Sequence, residues 1–338
     1  MSFLNASIEW FLGKRAGHMG PYQYAAHSGM RNGRNMSGAF LWADSELGHC
    51  NAQGNMINAE TTLLQQAIHE INDYVPHGTA VADLGPGTAT AFTNKTLPLA
   101  QRLGSKNCVL VDESIAFLKQ ICETPAANIL NITPIVDDFL ENGTPYVQAP
   151  TLVCSFGSTI SNCIGLISDE EPLTAVSQGL ANMAHAANSG WLLVAFDSDH
   201  NGERVKAFYK SQELFQLNIF DRMAAQFQIQ GDFDPAAFAY EPQWCEKSGQ
   251  LAHMAVATRD MQFAIDGQTI KLTRGKKLHI KNSYKLSAEF FEKCCAAANL
   301  KVIRKWSDDT PAKIYLLRIM PQPAVLPLPK QTTLLKSA

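Results

Sequence analysis

The sequence predicts an α/β fold: a doubly wound, Rossmann-like, mostly parallel sheet interrupted by an inserted α+β region. Three observations carry that reading. Short β-branched runs alternate with helical periods through the middle third of the chain. The first of these strands runs straight into a Gly-Pro-Gly turn, in "AVADLGPGTATAF". Near residue 199 the pattern changes to helices followed by strands in hairpin order, and helix and strand resume near residue 286.

Residues 1–60 are rich in Gly, Asn, His and aromatics and have little periodicity, so they are expected to form an irregular cap contributing to a substrate domain. The run "ETTLLQQAIHEINDY" then sets Leu63, Leu64, Ala67, Ile68 and Ile71 on one helical face. Residues 61–198 are read as the cofactor domain. Its elements are strand "TAVADLG", helix "TATAFTNKTLPLAQRL" with a kink expected at Pro98, strand "NCVLVDES" and helix "SIAFLKQICE". A strand within "ILNITPIVDDF", strand "APTLVCSFGST", helix "EPLTAVSQGLANMAHAA" and strand "GWLLVAFDSD" follow. Residues 199–285 form the insert, where "MQFAI" and "QTIKL" flank Asp266-Gly267, a two-residue hairpin signal. Residues 286–320 return to the first domain through "KLSAEFFEKCCAAANL" and "KIYLLRIM", and the proline-rich 321–338 is expected to be a flexible tail.

Composition excludes several function classes. With 338 residues, 46% of them hydrophobic and 17% charged, the chain can bury one large core or two modest ones. A net charge of -3 leaves no basic excess for neutralising phosphates, against a nucleic-acid or membrane-surface role. No apolar run reaches the ~18 residues of a membrane span. The opening "MSFLNASIEWFLGKRAG" lacks the order of a signal peptide. The 8 cysteines form no CxxC pair, and Cys108 and Cys154 sit in apolar strands, so they read as reduced packing residues of a cytoplasmic protein. The 9 histidines form no HxxxH or HExxH pair, and no metal is expected.

The chemistry concentrates at the turn. Gly85 and Gly87 expose backbone N–H groups and let a ligand approach without Cβ obstruction. A dinucleotide fingerprint requires a third glycine, and Thr90 stands there. Asp112 ends the next strand, where a carboxylate can accept from ribose hydroxyls, and Asp138 follows the third, placed for an adenine amino group. Asp83, Gly-x-Gly, Asp112 and Asp138 in that order fit an S-adenosylmethionine site better than a dinucleotide site. The competing reading makes Asp112 and Asp138 simple helix caps. The fourth strand ends in "LVCSFGSTISNCIG", where Gly157, Ser158 and Thr159 offer a close-approach turn and Asn162 both a donor and an acceptor.

"FGSTISN" resembles the Gly-Ser-Thr-Ile-Gly-Asn signature of the histidine-specific N-alpha-methyltransferases of the ergothioneine pathway. The family also includes a fungal enzyme acting on a prenylated tryptophan. The likeness continues through "DLGPGT", "VDES", "DDF", "FQLNIFDRMAAQFQIQGDFDPAAF", "KNSYKL" and "RKWSDD", in order over roughly residues 60 to 318. It implies a methyltransferase sheet with an inserted substrate domain and S-adenosylmethionine as cofactor. By resemblance, Asp83, Gly85, Gly87, Thr88, Asp112, Asp138, Phe139, Ser158 and Thr159 hold the cofactor. Asn162 contacts the amino-acid head group and Tyr209 its carboxylate.

The departures bear on substrate. Histidine-specific members carry a Glu and a Ser that recognise the imidazole in the segment matching "KLHIKNSYKL". Ser283 is retained here, but Lys281 replaces the Glu. A lysine ammonium only donates, and it repels imidazolium. The Tyr-Tyr-Pro-Thr-Arg motif is replaced by "GNMINAE". Lys281 suits an acceptor-bearing or anionic side chain if it faces the pocket; on a strand edge it would be merely solvated. Tyr22, Tyr24 and Met254 are candidates for the pocket wall. The expectation is an N-methyltransferase for the amino group of a free amino acid or close derivative other than histidine. A small-molecule amine is its partner, with no nucleic acid or membrane. A catalytically lapsed binder of the same cofactor and an NAD-dependent oxidoreductase remain the alternatives.

Overall fold

A computed structural model describes residues 2–24, 29–46, 56–137, 139, 146–147, 150–166, 171–188 and 190–319. The strands in chain order are β1 (Met30–Arg31), β2 (Arg34–Asn35), β3 (Ala80–Leu84), β4 (Asn107–Val111) and β5 (Asn131–Ile135). Next come β6 (Thr151–Ser155), β7 (Trp191–Asp197), β8 (Ile229–Gly231), β9 (Phe238–Cys245) and β10 (Gln250–Ala257). The last are β11 (Met261–Ile265), β12 (Gln268–Leu272), β13 (Lys277–Tyr284), β14 (Leu300–Ser307) and β15 (Ala312–Ile319).

Seven strands build the central sheet in the order β14-β15-β7-β6-β3-β4-β5. All run parallel except β15, which lies antiparallel to both β7 and β14. Every residue of β6 and of β7 is buried, as strands covered on both faces must be, whereas the edge strand β5 has only exposed and half-buried residues. One face packs Leu63, Leu64 and Ala67 of the helix Met56–Glu70, and Ile71 just beyond it, against Val81, Leu110 and Leu193. The other buries Val176, Leu180 and Met183 of helix Pro172–Ala186 beside Phe196, whose ring stacks on Phe291 at 4.3 Å. Side-chain caps fix where helices start: Thr88 accepts from Ala91 N, Ser114 from Phe117 N, Asn201 from Arg204 N and Ser287 from Phe290 N.

The insert leaves after β7 and returns before helix Ala288–Ala297. It contains two three-stranded sheets, β13-β10-β9 and β12-β11-β8. Asp266 (φ 47) and Gly267 (φ 74) turn the chain between β11 and β12, as the two-residue signal requires. Two elements differ from the sequence reading. The helical run after β3 breaks at Lys95, between helices Ala89–Asn94 and Thr96–Leu103. Pro98 lies in the first turn of the second helix, where a missing N–H costs nothing, so it kinks nothing. Residues 1–60 include two regular helices, Phe3–Phe11 and Gly38–Glu46. The first buries Phe3, Trp10 and Phe11 in the insert's core with Phe220 and Phe263. Its Trp10 Nε1 donates to His279 O at 2.7 Å. The tail 321–338 lies outside the described residues.

Gly190, just before β7, abuts the start of β6: a Cβ there would sit 2.0 Å from Thr151 O, a backbone atom with no freedom to yield. Gly190→Ala is expected to destabilise the protein by about 3 kcal/mol, read as a lowered midpoint in urea unfolding; an unchanged midpoint would show that the sheet is packed differently here.

Candidate active site at the switch point

The strand order reverses between β3 and β6, which is where an open α/β sheet leaves a crevice at its carboxyl ends. Gly85 (φ 79) and Gly87 (φ 67) turn the chain off β3 in the left-handed region. Gly85 N donates to Val111 O at 2.8 Å, pinning the turn to β4. A Cβ on Gly85 would stand 3.4 Å from Thr159 Oγ1 and 3.7 Å from Phe139 Cζ, so these two side chains come over the turn. Thr88 caps the helix beyond it. Asp112, half-buried at the end of β4, accepts from Ser114 N at 2.8 Å and from Gly87 N at 3.3 Å. Burial pushes its carboxyl up to about 6 against the pull of those two N–H groups.

Asp83 lies beneath the turn, fully buried. Thr96 Oγ1 donates to its Oδ2, while its Oδ1 has no partner. Burial raises this carboxyl to about 7, opposed by the Thr96 hydrogen bond and the Lys95 charge. Lys95 itself is paired with Glu60, Nζ to Oε1 at 2.7 Å, and Gly157 N donates to Glu60 Oε2 at 2.9 Å. One buried carboxylate thus ties three segments together: helix Met56–Glu70, the helix break at Lys95 and the loop after β6. Sequence reasoning missed Glu60 and Lys95; the available signal was a charged residue on each of two otherwise apolar helical faces.

The loop after β6 continues with Ser158, left-handed at φ 62, whose buried hydroxyl has no partner. Its neighbour Thr159 donates to Phe156 O at 2.8 Å. The crevice therefore contains glycine-walled approaches and an acceptor at Asp112, with two partnerless polar atoms, at Asp83 and Ser158, buried in the segments that form it. That set fits a nucleoside cofactor carrying ribose hydroxyls and a polar tail. Asp138 lies outside the described residues.

The insert brings a second group of side chains to the same rim, because β13 and the 3-10 turn Thr159–Asn162 pack together. Asn162, last in that turn, is exposed. Asp197 ends β7 and forms a buried ion pair with Lys285, just past β13. Burial pushes the Lys285 ammonium down, but the Asp197 charge, the Tyr209 oxygen and the hydrogen bonds to both together outweigh it and hold the ammonium above its usual range. Lys285 Nζ also donates to Tyr209 Oη at 3.3 Å and lies 5.0 Å from the Tyr209 ring centroid. The Tyr209 oxygen is therefore an acceptor on this side, which frees its own proton to be donated elsewhere.

A parallel device sits deeper. His253 on β10 is fully buried, with Nδ1 2.8 Å from Tyr240 Oη and Nε2 2.8 Å from Ser283 Oγ. Burial, then the charges of Lys281 and Lys285, hold the imidazole well below its usual range, so it is neutral. Tyr240 is buried and, among the described residues, His253 is its hydroxyl's only partner, so that proton goes to Nδ1 and Nε2 carries the ring's own. Nε2–H then donates to Ser283, whose hydroxyl proton is left free. Lys281 pairs across the strands with His253, so both side chains share one face of the sheet. Its Nζ lies 4.9 Å from the ring centroid of Phe215 and 5.8 Å from that of Tyr24. Tyr24 is thus brought to Lys281. Tyr22 instead packs on Phe3 at 5.1 Å, and Met254 lies on the face of β10 opposite His253. Among the described residues no three His, Cys, Asp or Glu side chains cluster to hold a metal ion, and no helix is long and apolar enough to cross a membrane.

The doubly wound sheet with one reversed strand, and the crevice at its switch point, define an S-adenosylmethionine-dependent methyltransferase. Residues 55–318 match the model of the histidine-specific, S-adenosylmethionine-dependent methyltransferases, and the chain belongs to that family. It is 35% identical over 303 residues to y4iF, an uncharacterised protein of Sinorhizobium fredii, covering 84% of this chain and 99% of that one. Solved structures that it resembles include an S-adenosylmethionine-dependent methyltransferase from Clostridium acetobutylicum, with TM-score 0.46, 11% identity, and coverage of 83% of this chain and 97% of that one. Another is an S-adenosylmethionine-bound amino pentose methyltransferase from Micromonospora echinaspora, with TM-score 0.38, 12% identity, and coverage of 76% and 90%. S-adenosylmethionine is the cofactor, and the nicotinamide alternative falls away.

The raised Asp83 carboxyl has a consequence for stability. A group whose folded pKa lies above its unfolded value favours the fold at low pH and loses that contribution as pH rises through the folded value. For Asp83 the window runs from 3.8 to about 7. Asp83→Asn removes this dependence, so its stability relative to the parent should climb with pH across the window, by at most about 1.4 kcal/mol per pH unit. Urea unfolding of the cofactor-free proteins at several pH values checks it, and parallel curves would show that Asp83 ionises freely.

Proposed function

We propose that the protein transfers a methyl group to the amino nitrogen of a free amino acid, or a close derivative, other than histidine. The observation that supports this reading is the Asp197–Lys285–Tyr209 chain, which leaves the Tyr209 proton free to be donated and is anchored at the ends of strands that pack with the turn ending at Asn162. A phenol donor and a carboxamide together suit an amino-acid head group, with the carboxylate at Tyr209 and the amino group near Asn162. Bound S-adenosylmethionine supplies an electrophilic methyl group. Asp112 would accept from its ribose hydroxyls, Gly85 and Gly87 would admit it closely, and Asp83, Thr88, Phe139, Ser158 and Thr159 would complete the cradle.

The protein's task is then alignment, since displacement at a methyl carbon needs a lone pair in line with the leaving group. The amine must lose its proton before it can attack the methyl carbon. A cation already in the crevice disfavours a neighbouring ammonium, so Asn162 and Tyr209 need only hold the nitrogen while its proton passes to water. Lys281, where histidine-specific members carry a carboxylate, disfavours an imidazole or imidazolium side chain. We place the enzyme in the cytoplasm, supported by the free state of the seven described cysteines.

Asp112→Ala should raise the dissociation constant of S-adenosylhomocysteine about 10- to 100-fold, measured by calorimetry. Tyr209→Phe should leave that constant unchanged and lower kcat/KM for the amine about 10- to 100-fold. A methyl-transfer screen over amino acids tests the reading as a whole: product from no amino acid would overturn it.

A further inference from the structure

We infer that the far end of the substrate pocket is built for an anionic group, and that the methyl acceptor is an amino acid bearing a side-chain carboxylate. This rests on the amino-acid reading above and assigns the part of the pocket which that reading leaves open.

Three features of the face shared by β10 and β13 converge on it. Lys281 is a cation without a counter-ion: among the described residues it makes no hydrogen bond or ion pair, only its approaches to the Phe215 and Tyr24 rings. Its stem is fixed, since a Cβ on Gly20 would stand 3.2 Å from Lys281 Cδ and 3.3 Å from its Cβ. The charge therefore has little room to swing out to water. Ser283, two residues along the strand, is turned into an outward donor by the Tyr240–His253 relay. An acceptor placed between them would meet two donors and, among the described residues, no competing carboxylate.

The contrast with Lys285 sharpens the point. Both lysines lie near the same rim, but Lys285 has Asp197 and adds no net charge. His253 between them is neutral. The excess positive charge thus falls on Lys281 alone, and a half-buried ammonium without a partner is disfavoured until an anion supplies one. Among the described residues, the ionisable side chains around Lys281 are His253 on β10, Tyr24 on the N-terminal turn, and His279 and Lys285 on its own strand and just beyond it. None of these is a carboxylic acid, and burial brings the Lys281 ammonium down to about 7. An anion seated there draws the proton back on. Binding should therefore take up a proton at pH 8 and weaken as pH rises above 7.

The test is calorimetric titration of the full chain, saturated with S-adenosylhomocysteine, with L-glutamate, L-aspartate, L-leucine and L-histidine at pH 7. Glutamate or aspartate is expected to bind at least about 10-fold more tightly than leucine or histidine. Lys281→Met and Lys281→Gln should both erase that advantage while keeping the parent's affinity for S-adenosylhomocysteine, which reports an intact fold. Leucine or histidine binding as well as the better acid would overturn the inference, as would either variant keeping the acid's advantage. A methyl-transfer screen run alongside separates the two levels. Product from leucine or histidine with no preference for acids defeats only the anionic assignment. Neither binding nor product from any amino acid defeats the amino-acid reading with it.

Discussion

The buried pair between Asp197 and Lys285 is the constraint on which the architecture of the site depends. Asp197 is the last residue of β7, where the chain leaves the central sheet, and Lys285 stands where it comes back. Leu286 N donates to Asp197 O at 2.9 Å, and Asp199 N to Asp197 Oδ1 at 2.9 Å, so both crossings of the neck are fastened to one residue. Such a pair adds little net stability, because desolvating two charges offsets their attraction. What it supplies is position. An insert joined only by two chain crossings would be free to tilt; with its neck locked, Tyr209 is held by the same ammonium.

Buried charge elsewhere follows the same rule. Glu60 and Lys95 neutralise each other, and Glu60 spends its second oxygen on the backbone of Gly157. The loop that carries Ser158, Thr159 and Asn162 is thereby registered against the first turn rather than left to its own hydrogen bonds. His253 avoids the problem by staying neutral, with both ring nitrogens engaged. Lys281 differs from these: it is a cation brought to an aromatic corner, and among the described residues it makes neither a hydrogen bond nor an ion pair. An ammonium in that position is disfavoured until a ligand supplies the missing charge.

Much of this was legible in the sequence where the physics is local. The Gly-Pro-Gly turn, the aspartate ending the next strand and the Asp266-Gly267 hairpin each depend on a few neighbouring residues, and each element stands where the pattern put it. Pro98 misled because a proline stops a helix only when its N–H is needed, and the break at Lys95 upstream had already removed that need. The helix Phe3–Phe11 was missed because its burial is set by Phe220 and Phe263, far away in the chain. Glu60 and His253 were missed for the same reason: their partners, Gly157 and Ser283, are distant in sequence.

The difference between Lys281 and Ser283 shows how far sequence alone carries an account of specificity. Read as letters, Ser283 is a retained imidazole-binding serine and Lys281 a substitution that removes its companion. Read as hydrogen bonds, Ser283 has an imidazole already, the protein's own, and the relay through Tyr240 and His253 fixes which way its proton points. With the serine so oriented, both positions present donors. A side chain that must itself donate, as a protonated imidazole does at both nitrogens, meets no acceptor there. One that only accepts meets two donors and a charge, and the residue that looked like a loss becomes one half of a recognition site whose other half is the substrate.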